Sequence, residues 1–151
     1  MHHPINITNR QQLQSMLQNL HAQTKPLWGK MTAQQMVEHL VQELEYTNGK
    51  KTCVCERPPG EAKKEKDKMV YTDAEIPKNM VWEQPPAQYR YAGLQTAVAQ
   101  LIRELEAFDE YFKTPGATCV HGGFGAMDYK EWVIWHGKHF THHFRQFGLV
   151  P

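Results

Sequence analysis

Trp132-Val133-Ile134-Trp135-His136-Gly137-Lys138-His139-Phe140-Thr141-His142-His143-Phe144-Arg145-Gln146-Phe147-Gly148 stands near the end of the chain and interleaves aromatic residues with basic ones. Asp128, just upstream, is an N-cap residue, and Glu131 three positions on completes the reciprocal capping pattern. Gly148 supplies the stop. The stretch therefore reads as a helix from just after Asp128 through Gln146. Trp132, Trp135 and Phe140 read as its packing residues. Its histidines are the compositional outlier: His136, His139, His142 and His143 are four of the nine in the chain.

Working outward, three more helices are expected. Residues 9–23 carry Leu13, Met16, Leu17 and Leu20 at helical spacing, with Thr8 as cap and Gln11 at the box position. From Thr32, with Gln35 three residues on, a second helix buries Met36, Val37, Leu40, Val41 and Leu44, and Gly49 ends it. Residues 89–113 keep the period through Leu94, Ala97, Val98, Leu101, Ile102, Leu105, Phe108 and Phe112, and Pro115-Gly116 stops them. Residues 50–87 read as a long connection broken by Arg57-Pro58-Pro59-Gly60. Its charged run, 61–68, is a solvated loop or a short exposed helix. A second connection covers 118–127. No alternating run is long enough to build a sheet, though 52–56 and 69–82 leave room for short strands. Four amphipathic helices with two long connections give an all-α chain, a four-helix bundle with long crossover loops, in a single domain over 1–151.

Composition narrows the function. The 151 residues are 40% hydrophobic and 22% charged, with net charge +1 when histidines are neutral. That balance gives no electrostatic footprint for nucleic acid or an anionic membrane. No stretch approaches the roughly 20 apolar residues of a membrane span. The first ten residues lack the apolar region of a secretory signal, so a cytoplasmic setting is expected. Three cysteines make no even disulfide framework and suit a reducing compartment. Cys53-Val54-Cys55 suits a soft metal or a strained disulfide, but without a second pair it is no zinc ribbon. Cys119 reads as a buried or loop thiol.

His139 and His143 are four apart and share a helix face, a spacing that brings two imidazoles to one ion. His136 lies on the same face, and His142 is turned about 60° away. A catalytic metal commonly takes three protein ligands and leaves a position open. His39, at the edge of the apolar face of the second helix, is the best third ligand. Glu43, one turn on, can orient it or add a carboxylate. Alone, the spacing of His139 and His143 is equally at home in a helix whose histidines are satisfied by hydrogen bonds.

The stretch Trp28-Gly29-Lys30-Met31-Thr32-Ala33-Gln34-Gln35-Met36-Val37-Glu38-His39-Leu40 resembles a signature of the DinB-like (YfiT-type) superfamily. There a Trp and a Ser or Thr cap precede a helix bearing Glu-His-Leu. His139-Phe140-Thr141-His142-His143-Phe144-Arg145-Gln146 resembles its second signature, His-x-x-His-His-x-x-Gln on the last helix. His121 with Phe124-Gly125, and Gln146-Phe147-Gly148, further resemble a bacterial branch of it. The likeness covers the second and fourth predicted helices; between them only helical character matches.

The resemblance implies an up-down-down-up four-helix bundle in which His39, His139 and His143 hold a divalent metal ion. Zinc or nickel lead, and iron, manganese or copper also suit a set of imidazoles. It further implies a transferase that uses a low-molecular-weight thiol on a small electrophilic substrate. Metal-dependent hydrolysis and a non-catalytic metal-binding or partner-binding module are the alternatives. In an enzyme, Glu43, His136 and His142 are candidates for orienting ligands or moving protons. His121 and Gln146 are candidates for substrate contact, beside plainer roles as a loop histidine and a packing residue. The expected partner is a small molecule, with no nucleic acid and no membrane. The helix stripes leave a homodimer open, because they do not separate a dimer face from a core face.

Overall fold

A computed structural model describes residues 3–78 and 86–151. The chain is mostly helical, with a small two-stranded sheet. In chain order the elements are α1 (Arg10–Leu17), α2 (Ala33–Glu45), α3 (Pro59–Tyr71), α4 (Leu94–Tyr111), β1 (Cys119–His121), β2 (Gly125–Met127) and α5 (Tyr129–Gln146).

The helix starts follow from local chemistry. On α2 the Thr32 side chain accepts from the Gln35 N–H, and the Gln35 side chain accepts from the Thr32 N–H at 2.9 Å. Asp128 and Glu131 make the same reciprocal pair at the start of α5. Glycines Gly49 and Gly148 follow these two helices at φ of 86° and 70°, a region costly for residues with a Cβ.

Elsewhere the expected bounds shift. The cap of α1 is Asn9, whose side chain accepts from Gln12, because the Thr8 hydroxyl is already committed to Asn6. This helix ends at Leu17 rather than near 23. The chain tightens into three-residue turns there, and these still bury Leu20. Helix α4 starts at Leu94 rather than 89. The Arg90 and Tyr91 N–H groups instead donate to the Glu38 carboxylate on α2, at 2.8 and 3.2 Å.

The long connection is not structureless. Its charged run lies within α3, a 13-residue helix with Pro59 at the first turn, where a missing N–H costs nothing. Ala62, Met69 and Val70 are buried, so one side of α3 joins the core. Residues 52–56 carry no strand, and 69–71 belong to α3. Residues 72–78 carry no strand either, and the rest of that expectation, 79–82, lies outside the described residues. The sheet forms instead in the second connection. Cys119 pairs with Met127, Val120 with Ala126 and His121 with Gly125, antiparallel, across a glycine-rich turn. Each strand has three residues, too short for an alternating pattern to register.

One core joins these pieces. Helix α2 packs along α4, while α5 meets α3 and the hairpin. The N-terminal segment is tied to α5 as well: the Ile5 N–H donates to Thr141 Oγ1 at 2.7 Å, and Thr141 donates to the Gly137 carbonyl at 2.6 Å. Gly137 is the close-approach point, since a Cβ there would sit 2.5 Å from the Ile5 carbonyl oxygen. No helix among the described residues is long and apolar enough to cross a membrane.

Candidate metal centre

Three histidines from two helices meet. His39 comes from α2, whose buried face of Met36, Val37 and Leu40 turns it inward. His139 and His143 come one turn apart on α5. His139 Nε2 lies 3.0 Å from His39 Nε2 and 3.0 Å from His143 Nε2. One nitrogen from each of the three falls within 4.8 Å of the others. These histidines therefore lie close enough to hold a metal ion. A tetrahedral ion with metal–nitrogen bonds of about 2.0–2.1 Å sets its nitrogen ligands about 3.3 Å apart, close to the contacts seen.

The protonation pattern fits the same use. The Gln146 Nε2 donates to the Trp28 carbonyl at 3.1 Å, which leaves its Oε1 as an acceptor toward His143 Nδ1 at 2.8 Å. The His143 proton therefore belongs on Nδ1, and Nε2 presents a bare lone pair to the centre. His139 Nε2 meets two neighbours at once. A proton on it points at only one of them, and without a proton its lone pair faces the bare lone pair of His143 Nε2. A cation satisfies all three.

Burial keeps the three imidazoles neutral. It holds His39 down at about 4, with the His142 charge adding to the effect. His143 is held at about 3, mainly by burial and then by His39. Burial, followed by the His143 and His39 charges, drives His139 well below the ordinary range. Neutral imidazole is the form that binds a metal, so protons compete little near neutral pH. His139 Nδ1 is buried without a hydrogen-bond partner, and its ring is oriented instead by stacking on Trp135 at 6.2 Å.

The remaining candidates take different places. His142 packs edge-on against Trp28 at 5.6 Å and against His143 at 5.0 Å, beside the ligands but turned toward the surface. His136 is fully buried. Thr47 Oγ1 donates to the Leu44 carbonyl, so it accepts from His136 Nε2 at 3.0 Å. The ring lies on Trp132, 5.1 Å away, and its Nδ1 has no partner. That places His136 in the core, engaged with α2 and outside the ligand group. Gln146 orients the His143 ring and anchors the turn before α2 in one step. The Trp28 carbonyl that completes this link carried no signal of its own in the sequence.

Glu43 is half-buried and borders a cavity of about 550 Å³ between α2, α3 and the hairpin. The same cavity is bordered by His121, which stacks on Phe124 at 3.8 Å and accepts the Gly123 N–H at Nδ1. Burial, with Arg57 adding, holds His121 at about 3. Cys53 borders this cavity too, and Cys53, Cys55 and Cys119 are all free thiols. Burial pushes Cys53 up, which disfavours its thiolate. Arg57, Lys68 and Met69, which sequence reasoning passed over as loop and solvated charge, reach the cavity because α3 folds onto the core.

Fold and site together define a mostly helical chain with a buried three-histidine centre. The chain matches no family model, no curated protein and no solved structure.

Proposed function

We propose that the chain is a divalent-metal-dependent enzyme, a transferase that joins a low-molecular-weight thiol to a small electrophile. The convergence of His39, His139 and His143 carries this reading. Among the described residues the group has three members, the count found where a metal keeps a position for a reactant rather than where it only staples a fold. The resemblance of residues 28–40 and 139–146 to the DinB-like signatures supports the same reading, together with an up-down-down-up four-helix bundle. A divalent ion held there supplies Lewis acidity, lowering the pKa of a thiol or water at its remaining position.

The chain's own residues supply the rest. Gln146 fixes the His143 tautomer, and Trp135 fixes the plane of His139. Burial keeps His139 and His143 unprotonated. Glu43, one turn beyond His39 on α2, would take up a proton. In the reaction the thiol sulfur forms a bond to the electrophilic carbon, and the leaving group departs with the bonding pair. The thiol proton passes to Glu43 and on to solvent.

The test uses L-cysteine and an aryl halide, with zinc-loaded or nickel-loaded protein. Thioether formation should exceed that given by the free ion, and should vanish on chelation and in the paired variant His139→Ala, His143→Ala. No acceleration with either metal, while the ion remains bound, would overturn the transferase reading and leave the metal centre standing.

A further inference from the structure

The cavity of about 550 Å³ falls within the range of small-molecule sites, roughly 300–1,000 Å³. Its lining is divided by chemistry. Met69, Phe124 and Trp132 are buried, and with Ile76 they give an apolar wall. The cations Arg57 and Lys68 come from the start and the last turn of α3. They are not as separated as their numbers suggest. Arg57 runs along the helix until its Nη1 is 3.8 Å from Glu65, one turn before Lys68. Both positive groups line the cavity.

The cations are poorly used within the chain. At 3.8 Å the Arg57–Glu65 pair is too long for a hydrogen bond, and both side chains are nearly half exposed. Lys68 makes no ion pair among the described residues. The wall's other carboxylates are Glu75, which pairs with Arg145 at 3.2 Å, and Glu43 on α2. Gly123 lies beside the His121 ring and the Arg57 guanidinium. A Cβ there would come to 3.7 Å from the His121 ring and 3.9 Å from the Arg57 guanidinium carbon. His121 is locked by the Gly123 N–H with its proton on Nε2, which makes it a neutral donor beside the guanidinium.

We propose that this cavity binds a small carboxylate with an apolar body, the carboxylate on Arg57 and Lys68 and the body against Met69, Ile76, Phe124 and Trp132. Glu65 shows which group the guanidinium accepts, at a distance a ligand would shorten to a forked pair. The proposal goes beyond the enzyme reading: none of His39, His139 and His143 is among the described residues that line this cavity, and binding there does not require the metal.

The experiment is calorimetric titration with 3-phenylpropionate, beside phenethylamine, which has a similar apolar body and the opposite charge. 3-Phenylpropionate should bind saturably and phenethylamine should not compete. Arg57→Ala should weaken binding about tenfold, the loss expected for a charge-assisted hydrogen bond. Glu65→Gln should strengthen it, because the rival carboxylate is gone. Arg57 is exposed, so the variant should keep the native melting temperature and metal content. The pair His139→Ala, His143→Ala should keep 3-phenylpropionate binding while losing metal, which separates failure of the cavity from failure of the centre. No saturable binding, equal binding of phenethylamine, or unchanged affinity in Arg57→Ala would each overturn the proposal.

Discussion

Gln146 Oε1 accepts from His143 Nδ1 at 2.8 Å, while the other end of the same amide donates to the Trp28 carbonyl at 3.1 Å. One side chain thus sets a ligand's tautomer and ties the last helix to the turn before α2. Replacing Gln146 by Leu removes the acceptor but keeps the bulk. The expected result is a loss of roughly 10–100-fold in metal affinity, the usual effect of removing a group that orients a ligand. Competition against a coloured chelator reads this directly. Unchanged affinity would mean that His143 is held by packing alone.

Gly137 predicts a stability effect opposite in sign to helix propensity. Alanine in a helix interior is favoured over glycine by about 1 kcal/mol. Here its Cβ would meet the Ile5 carbonyl oxygen at 2.5 Å, and the backbone must yield. Overpacking of this kind costs about 1–3 kcal/mol, and the Ile5–Thr141 bond is strained with it. Gly137→Ala should therefore lower the urea midpoint; a raised midpoint would show that the N-terminal segment moves aside freely.

The second and last helices were legible because capping chemistry is local: Thr32 with Gln35 and Asp128 with Glu131 need only a four-residue window. The grouping of His39, His139 and His143 was legible because one-turn spacing and the edge of an apolar face are also local features. What the sequence hid depends on distant partners. Helix α3 looked solvated because only Ala62, Met69 and Val70 face inward, a stripe too thin to stand out among its lysines and glutamates. The start of α4 moved because Glu38, more than fifty residues away, takes the Arg90 and Tyr91 N–H groups. His136 shared a face with His139 in the sequence, yet Thr47 claims it in the fold.

Acid should unfold the metal-free chain through its buried histidines. His121 and His136 are each held at about 3 by burial, against roughly 6.5 in an unfolded chain. Between these values the unfolded state binds the extra protons. The stability from the neutral forms is thus complete above about pH 6.5 and is lost as pH falls toward 3. Well below pH 6.5, each such group contributes a slope of about 1.4 kcal/mol per pH unit. Urea unfolding at pH 7 and pH 5 should show the drop, and His136→Phe should make it shallower. Equal stability at the two pH values would contradict the neutral assignment.

The most direct test of the central claim is metal content by elemental analysis, on native protein and on the paired variant His139→Ala, His143→Ala, after loading each with zinc and desalting. A centre built by His39, His139 and His143 predicts about one equivalent in the native protein and almost none in the variant. Equal content in both, or none in the native protein after zinc and nickel loading, would contradict it and leave the three rings as a hydrogen-bonded core cluster.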